Sequence, residues 1–184
     1  MENNIEKIKS DLKNNLSQFR YEHSLRVAEE AKKLAEHYNI NAEKVYLAGL
    51  VHDIAKEFSS EENEKWIKKY KLPKELLDPK FKEIIHADIG SVVVKELYGF
   101  DNEICNAVKY HTIGNITMDL FDKIIFVADV TGRKTSNLKI QEIKKLSYID
   151  INKAVKQCLI NQKEILENNG GSFHPKALEL LNSL

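Results

Sequence analysis

Apolar residues recur at three- and four-residue intervals along almost the whole chain, as in Leu25, Ala28, Ala31, Leu34 and Ala35, and few runs alternate as strand sequences do. That periodicity confines the chain to packed amphipathic helices, so the predicted fold class is all-α. Helices are expected near 3–16, 18–38, 41–56, 60–70, 80–98, 101–111, 117–131, 138–147, 150–168 and 174–183. Punctuation supports the breaks: Asn41 and Ser60 suit N-caps, Pro73 and Pro79 interrupt one region, Gly99 closes a helix, and Gly170-Gly171 precedes the last. The run IIFVADV at 124–130 is open to two readings, because its β-branched residues also suit a buried strand. Its helical neighbours favour a central helix.

A chain of 184 residues buries roughly 70% of its unfolded surface, enough for a core that needs neither disulfide nor structural metal. A single domain over 1–184 is expected, and any metal it holds should serve function. Equal numbers of basic and acidic residues, 28 of each, argue against a protein that coats nucleic acid. Cys105 and Cys158 make no disulfide framework and fit a reducing, cytoplasmic home. The start, MENNIEKIKS, lacks the unbroken apolar stretch of a signal peptide. The richest apolar run, 45–51, falls far short of the ~18 residues of a membrane span, so no membrane partner is expected.

The chemistry lies in scarce residues. Of six histidines, His23, His52, His86 and His111 fall within or at the ends of predicted helices beside apolar residues. Any one of them reads most simply as a satisfied core or surface group, but the set changes that reading. Asp53 follows His52 in LVHDIAKEF, and Asp129 ends the apolar run from Ile124, so two carboxylates sit where buried helices should be apolar. A buried carboxylate needs a partner, and a divalent cation accepts ionised carboxylate and neutral imidazole together. Two aspartates and four histidines suffice for two ions, leaving a net positive centre that attracts an anion. A metal pair can carry a bridging hydroxide as nucleophile and polarise a phosphoryl oxygen, which makes phosphoester or phosphoanhydride hydrolysis the expected reaction. Helical spacing places Lys56 near His52 and Asp53, and Arg20 and Arg26 three residues either side of His23, as candidate phosphate grips. Arg20 and Arg26 read equally well as a solvated face. Arg133, four residues after Asp129, reads as a further substrate cation or as a helix C-terminal charge.

His23, the His52-Asp53 pair and Asp129, in that order, resemble the signature of the HD-domain metal-dependent phosphohydrolases. More closely, RYEHSLRVAEEA, LVHDIAK, His86, YHTIG and KIIFVAD resemble the YqeK-like symmetrical bis(5′-nucleosyl)-tetraphosphatases over about residues 18 to 165. The resemblance implies an HD-domain helical bundle with flanking terminal helices, and cleavage of diadenosine tetraphosphate into two ADP. It implies a dinuclear centre, with iron as the expected metal and manganese or others compatible. His23, His52, Asp53 and Asp129 would hold one ion, and Asp53 would bridge to a second held by His86 and His111. Asp53 and Lys56 are then the expected catalytic groups. Thr112 and Gly114 match the family stretch after the last histidine, where a hydroxyl or backbone group contacts phosphate; a plain helix end is the other reading. The resemblance is compatible with a homodimer and assigns no surface to it. After Asp129 this chain runs ADVTGRK, without the longer acidic and proline-bearing segment usual in the family. That departure leaves room for other nucleotide substrates of the same chemistry, or for a nucleotide sensor without turnover.

His37 and His174 have no motif partner and are assigned to structure, His174 as a cap before Pro175. Cys105 and Cys158 lack an activating neighbour. Trp66, Tyr70 and Phe81 are assigned to the core rather than to adenine stacking. The stretch KEFSSEENEKWIKKYK reads as a solvated helix face that could also border the site.

Overall fold

The computed structural model describes residues 2–78 and 81–184. Among them are ten α-helices and no strand: α1 (Glu2–Asn15), α2 (Gln18–His37), α3 (Ala42–Val51), α4 (Ser60–Tyr70), α5 (Ile85–Tyr98), α6 (Asn102–Tyr110), α7 (Leu120–Thr131), α8 (Leu138–Ser147), α9 (Ile151–Asn168) and α10 (Pro175–Ser183). A 3-10 turn, Lys74–Leu77, lies between α4 and α5. Pro79 and Lys80, an expected break and an expected helix start, lie outside the described residues. No helix among the described residues is long and apolar enough to cross a membrane.

Short polar side chains start most of the helices. Ser17, Asn41, Asp101, Asn137 and Asp150 each accept a backbone N–H from the first turn that follows. Ser59, not Ser60, caps α4, because Glu62 stands three residues beyond it and closes a reciprocal capping box. Asp119 and Asp122 form the same box at α7, so that helix begins later than 117.

The 124–130 run is helical, and Ile124, Ile125, Val127 and Ala128 are fully buried at the centre of α7. With Val27, Leu34, Leu50, Ile89, Val108 and Leu159 they form a continuous apolar cluster, each large aliphatic side chain contributing about 1.5–3 kcal/mol.

Besides α7, two more helices are shorter than their periodicity predicts, and both of these differences fall beside the site. The 41–56 helix stops at Val51. Beyond it the backbone turns on i→i−3 bonds, Ile54 N to Val51 O at 3.0 Å and Lys56 N to Asp53 O at 2.9 Å. His52 and Asp53 therefore occupy a turn. Before α5, Ile84 N donates to Phe81 O at 2.9 Å and Ala87 N to Ile84 O at 3.1 Å, so regular helix begins at Ile85. In both places three-residue bonds replace the four-residue ladder and swing neighbouring side chains off one face.

Candidate metal centre

The site begins with a close helix crossing. A methyl group added to Gly49 of α3 would lie 2.8 Å from Cα of Ala28 on α2, so only glycine lets the two backbones approach this closely. Gly132, just past α7, meets the same stretch of α2: a Cβ there would lie 3.0 Å from Cα of Val27. One turn from these contacts each element carries a polar donor: His23 on α2, His52 after α3 and Asp129 on α7. The crossing brings them together, with His23 Nε2 2.9 Å from Asp129 Oδ1 and His52 Nε2 3.6 Å from the same oxygen.

Two of the histidines are oriented by helix ends. His52 Nδ1 donates to Gly49 O at 2.7 Å and His111 Nδ1 donates to Val108 O at 2.6 Å. Each accepting carbonyl is one of the last carbonyls of α3 or α6. Since a carbonyl only accepts, the ring proton is fixed on Nδ1 and the Nε2 lone pair is left facing inward, the tautomer a metal requires.

Asp53 presents its two oxygens to different neighbours. Oδ2 faces His52 Nε2 at 3.6 Å and the Arg20 guanidinium at 3.3 Å. Oδ1 faces His86 Nε2 at 3.2 Å and His111 Nε2 at 3.6 Å. Burial alone would raise the pKa of Asp53, but His52, His111 and His86 hold its carboxyl well below the usual carboxylate range. Asp129 is likewise held low, against its burial, by His23, His52 and Arg133. Both are carboxylates near neutral pH.

This donor set fits a divalent cation. His52 Nε2 is completely buried and has no hydrogen-bond partner among the described residues, while a carboxylate oxygen of Asp53 and one of Asp129 each lie 3.6 Å away. A lone pair and two anionic oxygens with no proton among them repel one another. Burial disfavours a charged His52, yet Asp53 and Asp129 outweigh it and raise its proton affinity. The site draws positive charge to this point, and a divalent ion answers that demand with more charge than a proton. Two ligand groups have donor atoms within 4.8 Å of one another: His23, His52 and Asp129, and His52, Asp53 and His111.

His86 has a different partner. Lys56 Nζ lies 3.4 Å from its Nδ1 and 3.2 Å from Glu83 O. A lysine ammonium only donates, so Nδ1 accepts and the ring proton sits on Nε2, toward Asp53 Oδ1 and toward His111 Nε2 at 3.1 Å. Coordination through Nε2 would move that proton to Nδ1 and release Lys56. Burial pushes the His86 imidazolium down to about 4, so the ring is neutral near pH 7.

A cavity of about 760 Å³ opens in front of these groups. Arg20, Asp53, Lys56, His86, His111, Thr112, Asp129 and Arg133 line it, with Arg133 also 3.4 Å from Asp129 Oδ2; His23 and His52 stand behind. The structure does not bring Arg26 or Gly114 to it. Arg26 lies one turn further along α2 than His23, and its guanidinium faces Glu22 at 3.8 Å. Gly114 is buried beneath α10, where a methyl would meet Leu180 Cδ2 at 2.3 Å.

Sequence reasoning missed the opposite wall. It is formed by Gln162 and Leu166 of α9, by the segment Gly171–Phe173 and by His174 and Ala177 at α10. His174 does cap α10, accepting from Lys176 N at 3.2 Å, but it also faces the cavity. Phe81, assigned to the core, lines the cavity 6.1 Å from the His174 ring. The signal available was the aromatic-His-Pro run after Gly170-Gly171, which has no periodicity to place it. Trp66 and Tyr70 stack on each other at 5.6 Å on α4, which contributes no residue to the cavity wall.

The HD domain family model matches residues 20–134. The chain is 32% identical over 182 residues to the symmetrical bis(5′-nucleosyl)-tetraphosphatase of Bacillus subtilis, covering 98% of this chain and 97% of the relative. It is 38% identical over 146 residues to the Staphylococcus aureus protein of the same name, covering 79% and 75%. A crystal structure from Clostridium acetobutylicum, described as a predicted HD superfamily hydrolase involved in NAD metabolism, superposes with a TM-score of 0.88 at 32% identity, over 97% of this chain and 95% of the other.

Proposed function

Because the chain belongs to the HD domain family, we propose that it is a cytoplasmic, metal-dependent hydrolase that cleaves dinucleoside tetraphosphates, diadenosine tetraphosphate foremost, symmetrically into two nucleoside diphosphates. The observation that carries this reading is the unpaired His52 Nε2 set among two carboxylates and three further imidazoles, behind and along a cavity that Arg20, Lys56 and Arg133 also line. The names of the Bacillus and Staphylococcus relatives support the substrate.

His23, His52, Asp53 and Asp129 would hold one ion, and Asp53, His86 and His111 a second. Asp53 is suited to both because its two oxygens already face separate histidine groups. Imidazole and carboxylate donors suit iron, and manganese or zinc as well. Such ions would supply Lewis acidity to the phosphoryl oxygens and acidify the attacking water.

The chain's own cations do the rest. Arg20, Lys56 and Arg133 ring the floor of the cavity, where they orient the four-phosphate chain and offset its charge. Water oxygen bonds to an inner phosphorus, the bridging P–O bond between the two inner phosphates breaks, and the departing oxygen stays with the second nucleoside diphosphate. Lys56, beside His86, is placed to steady the charge that develops there.

Incubation of the metal-loaded protein with diadenosine tetraphosphate, followed by chromatography, tests the reading. ADP should be the sole nucleotide product. ATP with AMP would exclude symmetrical cleavage, and absence of turnover would exclude the substrate class.

A further inference from the structure

Across the cavity from the carboxylates, His174 caps α10 with its ring held in one tautomer. Nδ1 lies 3.2 Å from the backbone N of Lys176, a group that only donates, so Nδ1 accepts and the ring proton is on Nε2. Burial and the nearby Lys176 lower the proton affinity of the ring below that of free imidazole. Near pH 7 it is neutral and offers a single N–H. Among the described residues the hydrogen bond of this ring is made by Nδ1, and nothing accepts from Nε2. Unlike Gln162 Oε1, which is sealed inside the same wall, Nε2 keeps accessible surface.

The donor is also braced. Pro175, the first residue of α10, has φ fixed by its own ring, and the Phe81 ring packs against the imidazole at 6.1 Å with a tilt of 55°. The bond from Lys176 N holds the Nδ1 edge against the start of α10 and turns Nε2 away from it. Around His174 the wall is mixed: Ser172 brings an exposed hydroxyl, while Leu166 and half-buried Phe173 bring apolar surface. The cations that line the cavity stand elsewhere, Arg20 against Asp53, Lys56 against His86 and Arg133 against Asp129. A phosphate chain belongs with those cations. A neutral N–H beside aromatic and aliphatic surface suits a flat heterocycle with acceptor nitrogens on its edge.

Resting on the dinucleotide reading above, we propose that this wall is a nucleobase subsite in which His174 donates from Nε2 to a ring nitrogen of the base. Phe173 and Leu166 cover the base, Phe81 holds the plane of the imidazole, and Ser172 stands at the exposed rim.

Calorimetric titration of the metal-loaded protein with ADP, and with ribose 5-diphosphate, which lacks only the base, tests the proposal. The protein should bind ADP at least about tenfold more tightly, the effect of covering one base and satisfying one acceptor. His174→Ser keeps a capping oxygen at the start of α10 and removes the N–H. It should weaken ADP about fivefold, as loss of one neutral hydrogen bond does, and leave ribose 5-diphosphate unchanged. Equal binding of the two ligands by the unaltered protein would overturn the subsite without reference to any variant. Equal weakening of both ligands by His174→Ser would assign the N–H to the phosphates and overturn it as well, as would unchanged ADP binding. The predicted pattern in protein that fails to hydrolyse diadenosine tetraphosphate would remove the catalytic reading and leave the subsite standing.

Discussion

Gly49 and Ala28 meet backbone to backbone: a methyl built on Gly49 would sit 2.8 Å from Cα of Ala28. His52 lies one turn beyond Gly49 and bonds through Nδ1 to its carbonyl, so the crossing of α2 and α3 also sets the aim of a ligand. Gly49→Ala should force the helices apart, destabilising the protein by about 1–3 kcal/mol as overpacking does and weakening metal retention together with stability. Urea denaturation and elemental analysis of the variant check this. Unchanged stability would show that α2 can yield at Ala28 without cost.

Lys56 touches His86 and Glu83 and is assigned to phosphate rather than to metal. Lys56→Met should lower kcat/KM about 10²- to 10³-fold, the usual consequence of losing one preorganised electrostatic group, with metal content unchanged. Loss of metal in this variant would instead make Lys56 a support for His86.

Asp53 and Asp129 raise the proton affinity of His52 above that of free imidazole despite its burial. In metal-free protein this raised pKa stabilises the fold fully below the unfolded value near 6.5, and the contribution fades as pH rises through the folded pKa. A metal ion must displace that proton, so metal affinity should strengthen over the same range. Thermal melts with and without added Mn²⁺, between about pH 5.5 and 8, should show the metal-induced increase in Tm growing with pH. A flat response would contradict the assignment of His52 as a ligand.

Asp122 provides a pH effect remote from the metal. Burial, with Asp119 beside it, pushes its carboxyl up to about 7, above the unfolded value near 3.9. The stability linked to this group is present below about pH 4 and is lost as pH rises through 7. Asp122→Asn should therefore flatten the dependence of Tm on pH between about 4 and 7 and raise Tm by a few degrees at pH 8. A lower Tm at pH 8 would show that the capping box with Asp119 outweighs the burial of the charge.

The helices were legible because three- and four-residue periodicity states directly which face is buried, and it held even for the β-branched residues Ile124, Ile125 and Val127. The six metal-ligand candidates were legible because histidine and aspartate are costly among apolar neighbours and so stand out. The turn after Val51 was not legible: LVHDIAKEF continues the helical pattern, and only the i→i−3 bonds at Ile54 and Lys56 show where the ladder changes. Counting three residues either side of His23 treated Arg20 and Arg26 alike, although α2 reaches the cavity only at its N-terminal end. Gly114 matched a motif by position, but α10 covers it, and no local pattern places α10. Gln162 was invisible for a similar reason, since an amide on an amphipathic helix carries no mark until the carbonyl of Thr112, fifty residues away, fixes its direction.

Anomalous diffraction from crystals of the protein grown with iron or manganese tests the metal centre most directly. The account predicts two peaks, one in coordinating contact with His52 Nε2 and Asp129, the other with His86 and His111, and Asp53 in contact with both. Peaks confined to other parts of the molecule, or none at these side chains in fully metal-loaded protein, would contradict it.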